Sequence, residues 1–329
     1  MRNWLLPDSI DDMLPAEAAQ VEALRRALLD HLASQGYRLV RPPLVEHLES
    51  LLTGSGHDLD LQTFKAVDPL SGRLVGVRAD ITPQVARIDA HLLNEPGPTR
   101  LCYAGSVLHA VADGPGATRE VVQVGAELFG VPGAEGDREV IALLVSTLGT
   151  AGIRGLHLDL GHVGVYRALA SAAGVSGNEV DTALFDALRT KDRPGVRALT
   201  QHLPDAWRNA LMTLPLLYGP AAEVLQAARA QLPDIPSIAN ALATLETIAR
   251  SAAPLVDALH VDLADLRGYH YHNGPIFSVF TAGEPNAVGK GGRYDGIGKA
   301  FGRARPATGF TLDLRQVAGV VARGVRDDF

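Results

Sequence analysis

Arg119-Glu-Val-Val-Gln-Val-Gly-Ala-Glu-Leu-Phe-Gly130 is the stretch on which the reading of this chain turns. Side chains alternate faces along a strand, so Arg119, Val121, Gln123, Gly125 and Glu127 share one side. The other side, Val122, Val124, Ala126 and Leu128, is wholly apolar and must face a core. An ordinary surface sheet face would also tolerate Arg, Gln and Glu. Gly125, between Gln123 and Glu127, suggests instead a notch where a ligand lies close to the backbone. Upstream, Arg100–Ala110 is strand-like, and Ala112-Asp-Gly-Pro-Gly116 supplies a turn, so the two strands form a hairpin.

Working outward, Pro15–Gln35 reads as an amphipathic helix with Val21, Leu24, Leu28 and Leu32 on one stripe and Gly36 as its stop. A strand at Tyr37–Val40 meets Pro42-Pro43, which confines it to an edge or a strand end. Arg73–Arg78 and His157–Leu160 read as strands, and Gly136–Thr150 as a helix. From Val163 to about Leu259 the texture becomes Ala- and Leu-rich and helical, broken at Gly174, Pro194, Pro204 and around Pro233–Pro236. Strand signals return at Pro275–Thr281 and Ala307–Leu312, followed by a helix over Leu314–Arg323. Strands, then helices, then strands that rejoin the first sheet predict an α+β fold, a mainly antiparallel sheet flanked by helices. The expected division is a core at 1–162, a helical insertion at 163–259 and the rest of the core at 260–329.

Composition narrows the function classes. Of 329 residues, 47% are hydrophobic, ample for a packed core, and the net charge of −7 disfavours nucleic acid as a general partner. Gly, Pro or a charge interrupts every apolar run too early for a membrane span. Met1–Pro15 carries acids rather than a basic-then-apolar leader, so a cytoplasmic location is expected. Cys102 is the only cysteine, which excludes an internal disulfide or a cysteine zinc cluster. The histidines make no His-Glu-x-x-His pair, and His270 and His272, alternating on what reads as a strand, are a weak metal signal, so no metal or cofactor is expected.

Three further segments carry hydrogen-bonding chemistry. In Arg78-Ala-Asp80-Ile-Thr82-Pro83, Asp80 and Thr82 can cap a helix starting near Pro83. A carboxylate at that corner can equally accept a ligand ammonium. Arg267-Gly-Tyr-His-Tyr-His-Asn-Gly274 offers Arg267 as a two-pronged carboxylate clamp and Tyr271 as a flat wall with a polar tip. Gly289-Lys-Gly-Gly-Arg-Tyr-Asp-Gly296 is a glycine-rich loop without Walker spacing, suited to letting backbone approach a ligand. Asp80, Gln123, Glu127 and Arg267 together complement a zwitterion such as a free amino acid.

In their order and spacing these segments resemble the catalytic domain of the class II aminoacyl-tRNA synthetases, histidyl-tRNA synthetase in particular. Gly36–Glu46, with Pro43 and Glu46, resembles the dimer-forming motif 1, Tyr103–Glu127 motif 2, and Ala307–Val320 motif 3. Arg267–Gly274 and Gly289–Gly296 resemble the two histidine-specific motifs. The resemblance implies the class II fold and a histidine site at Asp80, Thr82, Gln123, Glu127, Arg267, Tyr271 and His272, the last at a position commonly Tyr.

The nucleotide site departs from the pattern. Where the synthetases place an α-phosphate arginine, this chain has His109. The expected motif 2 glutamate is Val111, and a further basic residue is Ala117. The Glu-Arg pair of motif 3 is Arg315-Gln316, and an acid of the first histidine motif is His270. Losing one preorganised donor costs about 3 kcal/mol, on the order of 10² to 10³ in rate. Several such losses at one site leave adenylation negligible. No anticodon-binding domain is expected after motif 3.

A retained amino-acid site beside a dismantled nucleotide site is similar to the regulatory-subunit family of ATP phosphoribosyltransferase, a synthetase paralogue. That resemblance implies no catalysis by this chain and L-histidine as effector. It also implies self-association through motif 1 and a short-form catalytic subunit as partner, commonly in a hetero-octamer. A truncated ligase acting on a non-tRNA acceptor is the enzymatic alternative, and His109 and Gln316 speak against it. A synthetase-derived RNA binder is disfavoured by the acidic balance.

Overall fold

The computed structural model describes residues 5–53, 57–112, 114, 117–269 and 271–327. The chain divides into two compact units: Met1–Val131 with Ser146–Arg154 and Asp295–Phe329, and Pro132–Val145 with Gly155–Tyr294. The first unit holds β1 (Arg38–Leu39), β2 (Val45–His47), β3 (Phe64–Val67), β4 (Leu74–Val77), β5 (Thr99–Leu108) and β6 (Glu120–Phe129). The second holds β7 (Leu156–His162), β8 (Tyr218–Pro220), β9 (Ala258–Asp262), β10 (Pro275–Thr281) and β11 (Gly289–Arg293), and β12 (Ala307–Asp313) returns to the first.

In the first unit the strands run β1-β5-β6-β12, beside a small sheet β2-β4-β3; in the second they run β11-β10-β7-β9-β8. Pairing within these groups is antiparallel except for β1 with β5 and β7 with β9. The decisive hairpin is therefore β5–β6, with Tyr103 opposite Gly125 and Leu101 opposite Glu127. Its turn lies partly outside the described residues, although Gly114 has φ +113°, which only glycine takes without strain. Both faces of β6 are covered from Gln123 to Phe129, so this is a core strand rather than a surface one.

The helix Pro15–Ser34 packs on β5 and β6 and against the helix Leu314–Asp327. It buries Val21, Leu28 and Leu32, each worth about 1.5–3 kcal/mol, and ends at Gly36 with φ +83°. In the second unit the helical stretch contains Val163–Ala172, Glu179–Arg189, Arg193–Thr200, Asp205–Thr213, Ala221–Gln231 and Pro236–Ala252. Side chains of His162, Asn178 and Asp192 cap the first three. Pro194 stands in the first turn of its helix, where its missing N–H costs nothing, and so starts an element rather than breaking one. The short β8 interrupts the helices; three residues, one glycine and one proline among them, carry no periodicity to announce a strand.

Two segments differ from expectation. The described part of Arg267–Gly274 is a turn, not a strand; His270 lies outside the described residues. The N–H groups of Tyr271 and His272 both donate to the Gly268 carbonyl, at 2.8 and 2.7 Å, with Gly268 at φ +65°. Local bonds closed by a left-handed glycine satisfy the backbone before a ladder can, and strand begins only at Pro275. Conversely Gly289–Arg293 is not a loop but β11. Its glycines serve packing: a Cβ on Gly292 would come within 2.8 Å of His272 Nδ1 and 2.9 Å of the Pro275 carbonyl. Among the described residues no helix is long and apolar enough to cross a membrane.

Candidate functional site

In the first unit Asp80, Thr82, Gln123 and Glu127 are assembled around a residue the sequence reading passed over, Tyr103. Its ring is fully buried, and its hydroxyl donates to Glu127 Oε1 at 3.1 Å while lying 3.2 Å from Thr82 Oγ1. Burial first, then the neighbouring carboxylates of Glu127 and Asp80, push the phenol far above its ordinary pKa, so it stays a donor. Gly125 is not a ligand notch. Tyr103 stands opposite it, and a Cβ there would strike the phenol ring, so the glycine admits the tyrosine. The signal was present as strand register: on β5 the residue paired with Gly125 must share its face.

Glu127 is 1% exposed and sits opposite Gly309 of β12, where any Cβ would collide with the carboxylate and would lie 2.7 Å from the Ala126 carbonyl. The motif 3 strand thus makes room for a buried acid. Gln123 uses Oε1 to accept the Ile81 N–H at 3.2 Å, tying the helix start to β6. The helix begins at Thr82, one residue before the expectation, and Ile81 occupies the cap position. Asp80 receives the Thr82 N–H at a long 3.4 Å, and the Thr82 hydroxyl proton goes to the closer Tyr103 oxygen, so the half-buried Asp80 carboxylate keeps acceptor capacity. A second acid, Asp313, stands opposite Gln123; burial raises its pKa against the Arg315 and Gln316 N–H groups that donate to it.

Of the positions expected to have lost nucleotide chemistry, His109 is held by backbone groups. His109 Nε2 donates to the Ala79 carbonyl at 3.0 Å, and its own carbonyl accepts Arg119 Nε at 2.9 Å. Val111 is exposed and Ala117 half-buried. Gln316 is half-buried, while Arg315 turns to Glu17 at 3.1 Å and holds the two packed helices together. Nearby, Arg78 is buried and donates to the carbonyls of Ser106 and Pro42, both at 2.9 Å, and Gln84 donates to that of Pro43 at 2.8 Å. The motif 1 segment is pinned by these two side chains.

The second unit places Arg267, Tyr271 and His272. Arg267 is not an open clamp: Asp265 takes its guanidinium, with Nε 2.9 and 3.1 Å from the two carboxylate oxygens. Tyr271 stacks on the buried Tyr294 at 5.0 Å and 27°, and meets His272 edge-on at 5.2 Å. Burial drives the His272 imidazole down to about 4, so it is neutral, with Nδ1 3.3 Å from the Arg293 carbonyl. A separate cavity of about 850 Å³ lies among helices of the second unit, lined by Arg193, Arg197, Arg208 and Met212; no candidate residue borders it.

Residues 9–317 match the family model described as histidyl-tRNA synthetase. A protein of Ralstonia nicotianae called ATP phosphoribosyltransferase regulatory subunit is 58% identical over 97% of this chain and 82% of its own length. The chain belongs to the ATP phosphoribosyltransferase regulatory subunit family. Another such regulatory subunit, of Thiobacillus denitrificans, is 54% identical over 96% of this chain and 98% of its own. The crystal structure of a regulatory subunit/histidyl-tRNA synthetase from Bacillus halodurans superimposes with TM-score 0.85 at 28% identity, covering 96% of this chain and 83% of that one. The regulatory-subunit family thus shares the class II synthetase fold expected from the motif order.

Proposed function

We propose that this chain is a non-catalytic subunit that activates a short-form ATP phosphoribosyltransferase and relays feedback inhibition by L-histidine. The observation that carries the reading is the contrast within the first unit. The Thr82–Tyr103–Glu127 hydrogen-bonded array is complete and buried, while positions 109 and 316 hold a backbone-bonded histidine and a glutamine in place of arginines.

Asp80 and Glu127 are the acceptors for the ligand's ammonium and imidazole, and Gln123 and Thr82 fix the backbone behind them. Arg267, Tyr271 and His272 belong to the histidine-specific segment of the second unit. Histidine regulates only through unequal affinity for two states of the assembly. Motif 1, pinned by Arg78 and Gln84, forms the homodimer on which catalytic subunits assemble, in a hetero-octamer.

The test mixes this chain with a short-form ATP phosphoribosyltransferase and follows product formation across a histidine titration. The wild type activates and confers inhibition. Glu127→Gln preserves activation but shifts half-inhibition upward by roughly 10- to 100-fold, the loss of a charge-assisted hydrogen bond. Absence of activation sinks the assignment, whereas unchanged inhibition in Glu127→Gln sinks only the pocket. Histidine-dependent exchange of pyrophosphate into ATP by the pure chain would restore the ligase alternative.

A further inference from the structure

The sheet of the second unit brings His260 beside two side chains that lie far earlier in the sequence, His157 and Asp159. His157 and Asp159 alternate along β7 and so share a face, and the parallel register sets His260 of β9 directly beside Asp159. His157 Nε2 lies 3.0 Å from Asp159 Oδ1, and His260 Nδ1 lies 4.0 Å from that same oxygen. One donor atom from each of the three falls within 4.8 Å of the others. The imidazoles stand edge to face, with centroids 4.1 Å apart.

Two details separate this cluster from an ordinary surface ion pair. His157 Nε2 and Asp159 Oδ1 are shielded from solvent, yet their 3.0 Å approach is not aligned as a hydrogen bond. They lie side by side rather than head-on. An ion bound at about 2.0–2.1 Å sets neighbouring ligand atoms roughly 3.0–3.4 Å apart, the spacing these two already have. The side chains as wholes are 34, 30 and 39% exposed, so an ion can enter and keep a position for water.

We propose that His157, Asp159 and His260 bind a first-row divalent metal ion, zinc by preference, between β7 and β9. Two imidazoles and one carboxylate suit zinc and its neighbours and disfavour magnesium and calcium, which want oxygen alone. Rotation of His260 within its exposed position closes the 4.0 Å gap. Across β7, Phe280 backs His157, with ring centroids 6.5 Å apart, and limits its rotation. β7 enters the helical stretch and β9 leaves it, so the ion staples the two ends of that stretch together.

The experiment uses the full chain, stripped with a chelator, dialysed and titrated with Zn²⁺ against a chromophoric competitor. One ion per chain is expected, with a melting temperature that rises to a plateau as zinc is added. His157→Ala and His260→Ala each weaken binding by at least roughly 100-fold, the upper end of what losing an outer partner alone does. Asp159→Asn weakens it at least tenfold on the same scale, and exposed His202→Ala leaves it unchanged. Co²⁺ added to the wild type gives the intense visible bands of a low-coordinate nitrogen–oxygen site, a readout that survives if a variant misfolds. Absence of stoichiometric binding, binding that persists in all three variants, or a Co²⁺ spectrum like that of the free ion overturns the proposal.

Discussion

Removing one oxygen, Tyr103→Phe, tests the candidate site most directly. The ring keeps its place opposite Gly125, so packing is unchanged and only the hydroxyl's bonds are lost. Its bond to Glu127, at 3.1 Å, joins two side chains that are 0% and 1% exposed, so water cannot replace the donor. A hydrogen bond to a charged group contributes about 1.5–3 kcal/mol, and the 3.2 Å contact with Thr82 about 1 kcal/mol more. The variant should therefore lose about 2–4 kcal/mol in urea unfolding. A double-mutant cycle with Glu127→Gln isolates the pair, with an expected coupling of about 1.5–3 kcal/mol. Fluorescence and circular dichroism should be followed together, because two compact units need not unfold as one. Coupling below about 0.5 kcal/mol, the scatter of independent sites, would refute the claim that Tyr103 holds the Glu127 carboxylate.

Two further outcomes follow from buried charge. Arg293 and Asp137 form a buried pair, with Nε 3.0 and 3.2 Å from the two carboxylate oxygens. Arg293→Met strands the acid and should cost about 3–5 kcal/mol by urea midpoint, whereas adding Asp137→Leu should recover much of it; equal losses would contradict this. Burial also holds the His162 imidazole at about 4, against an ordinary 6.5, as it does that of His272. With folded values below unfolded ones, the unfolded chain takes protons first. Stability is thus intact above about pH 6.5 and falls as pH drops towards 4, by at most about 3 kcal/mol per histidine. His162→Asn keeps an acceptor for the Gly164 N–H, bonded at 3.0 Å, and should match the wild type at pH 7.5 but be more stable at pH 5. An unchanged pH slope would remove His162 from that account.

Much of the site was legible because its signals are local. Alternation in β6 identified Gln123 and Glu127 as sharing a face, and Asp80 and Thr82 stood at a legible helix start. The described part of Arg267–Gly274 folds as a turn although its alternating aromatic and polar residues imitate a strand, because one left-handed glycine decides the backbone. Arg267 was read as open because its neighbour Asp265 draws no attention until the turn folds it back.

The β5–β6 hairpin shows where sequence ends and tertiary structure begins. By itself the sequence determined that β6 has one apolar face and one chemical face, and that the motif order is that of a synthetase fold. The first follows from periodicity along the strand, and the second from the resemblance of the ordered motifs to a known family. Tertiary structure alone decided that Tyr103 fills the space above Gly125, that Gly309 yields room for Glu127, and that His260 lies beside Asp159. Those are matters of register between strands, and register is set by the burial of whole faces at once, which no single segment contains.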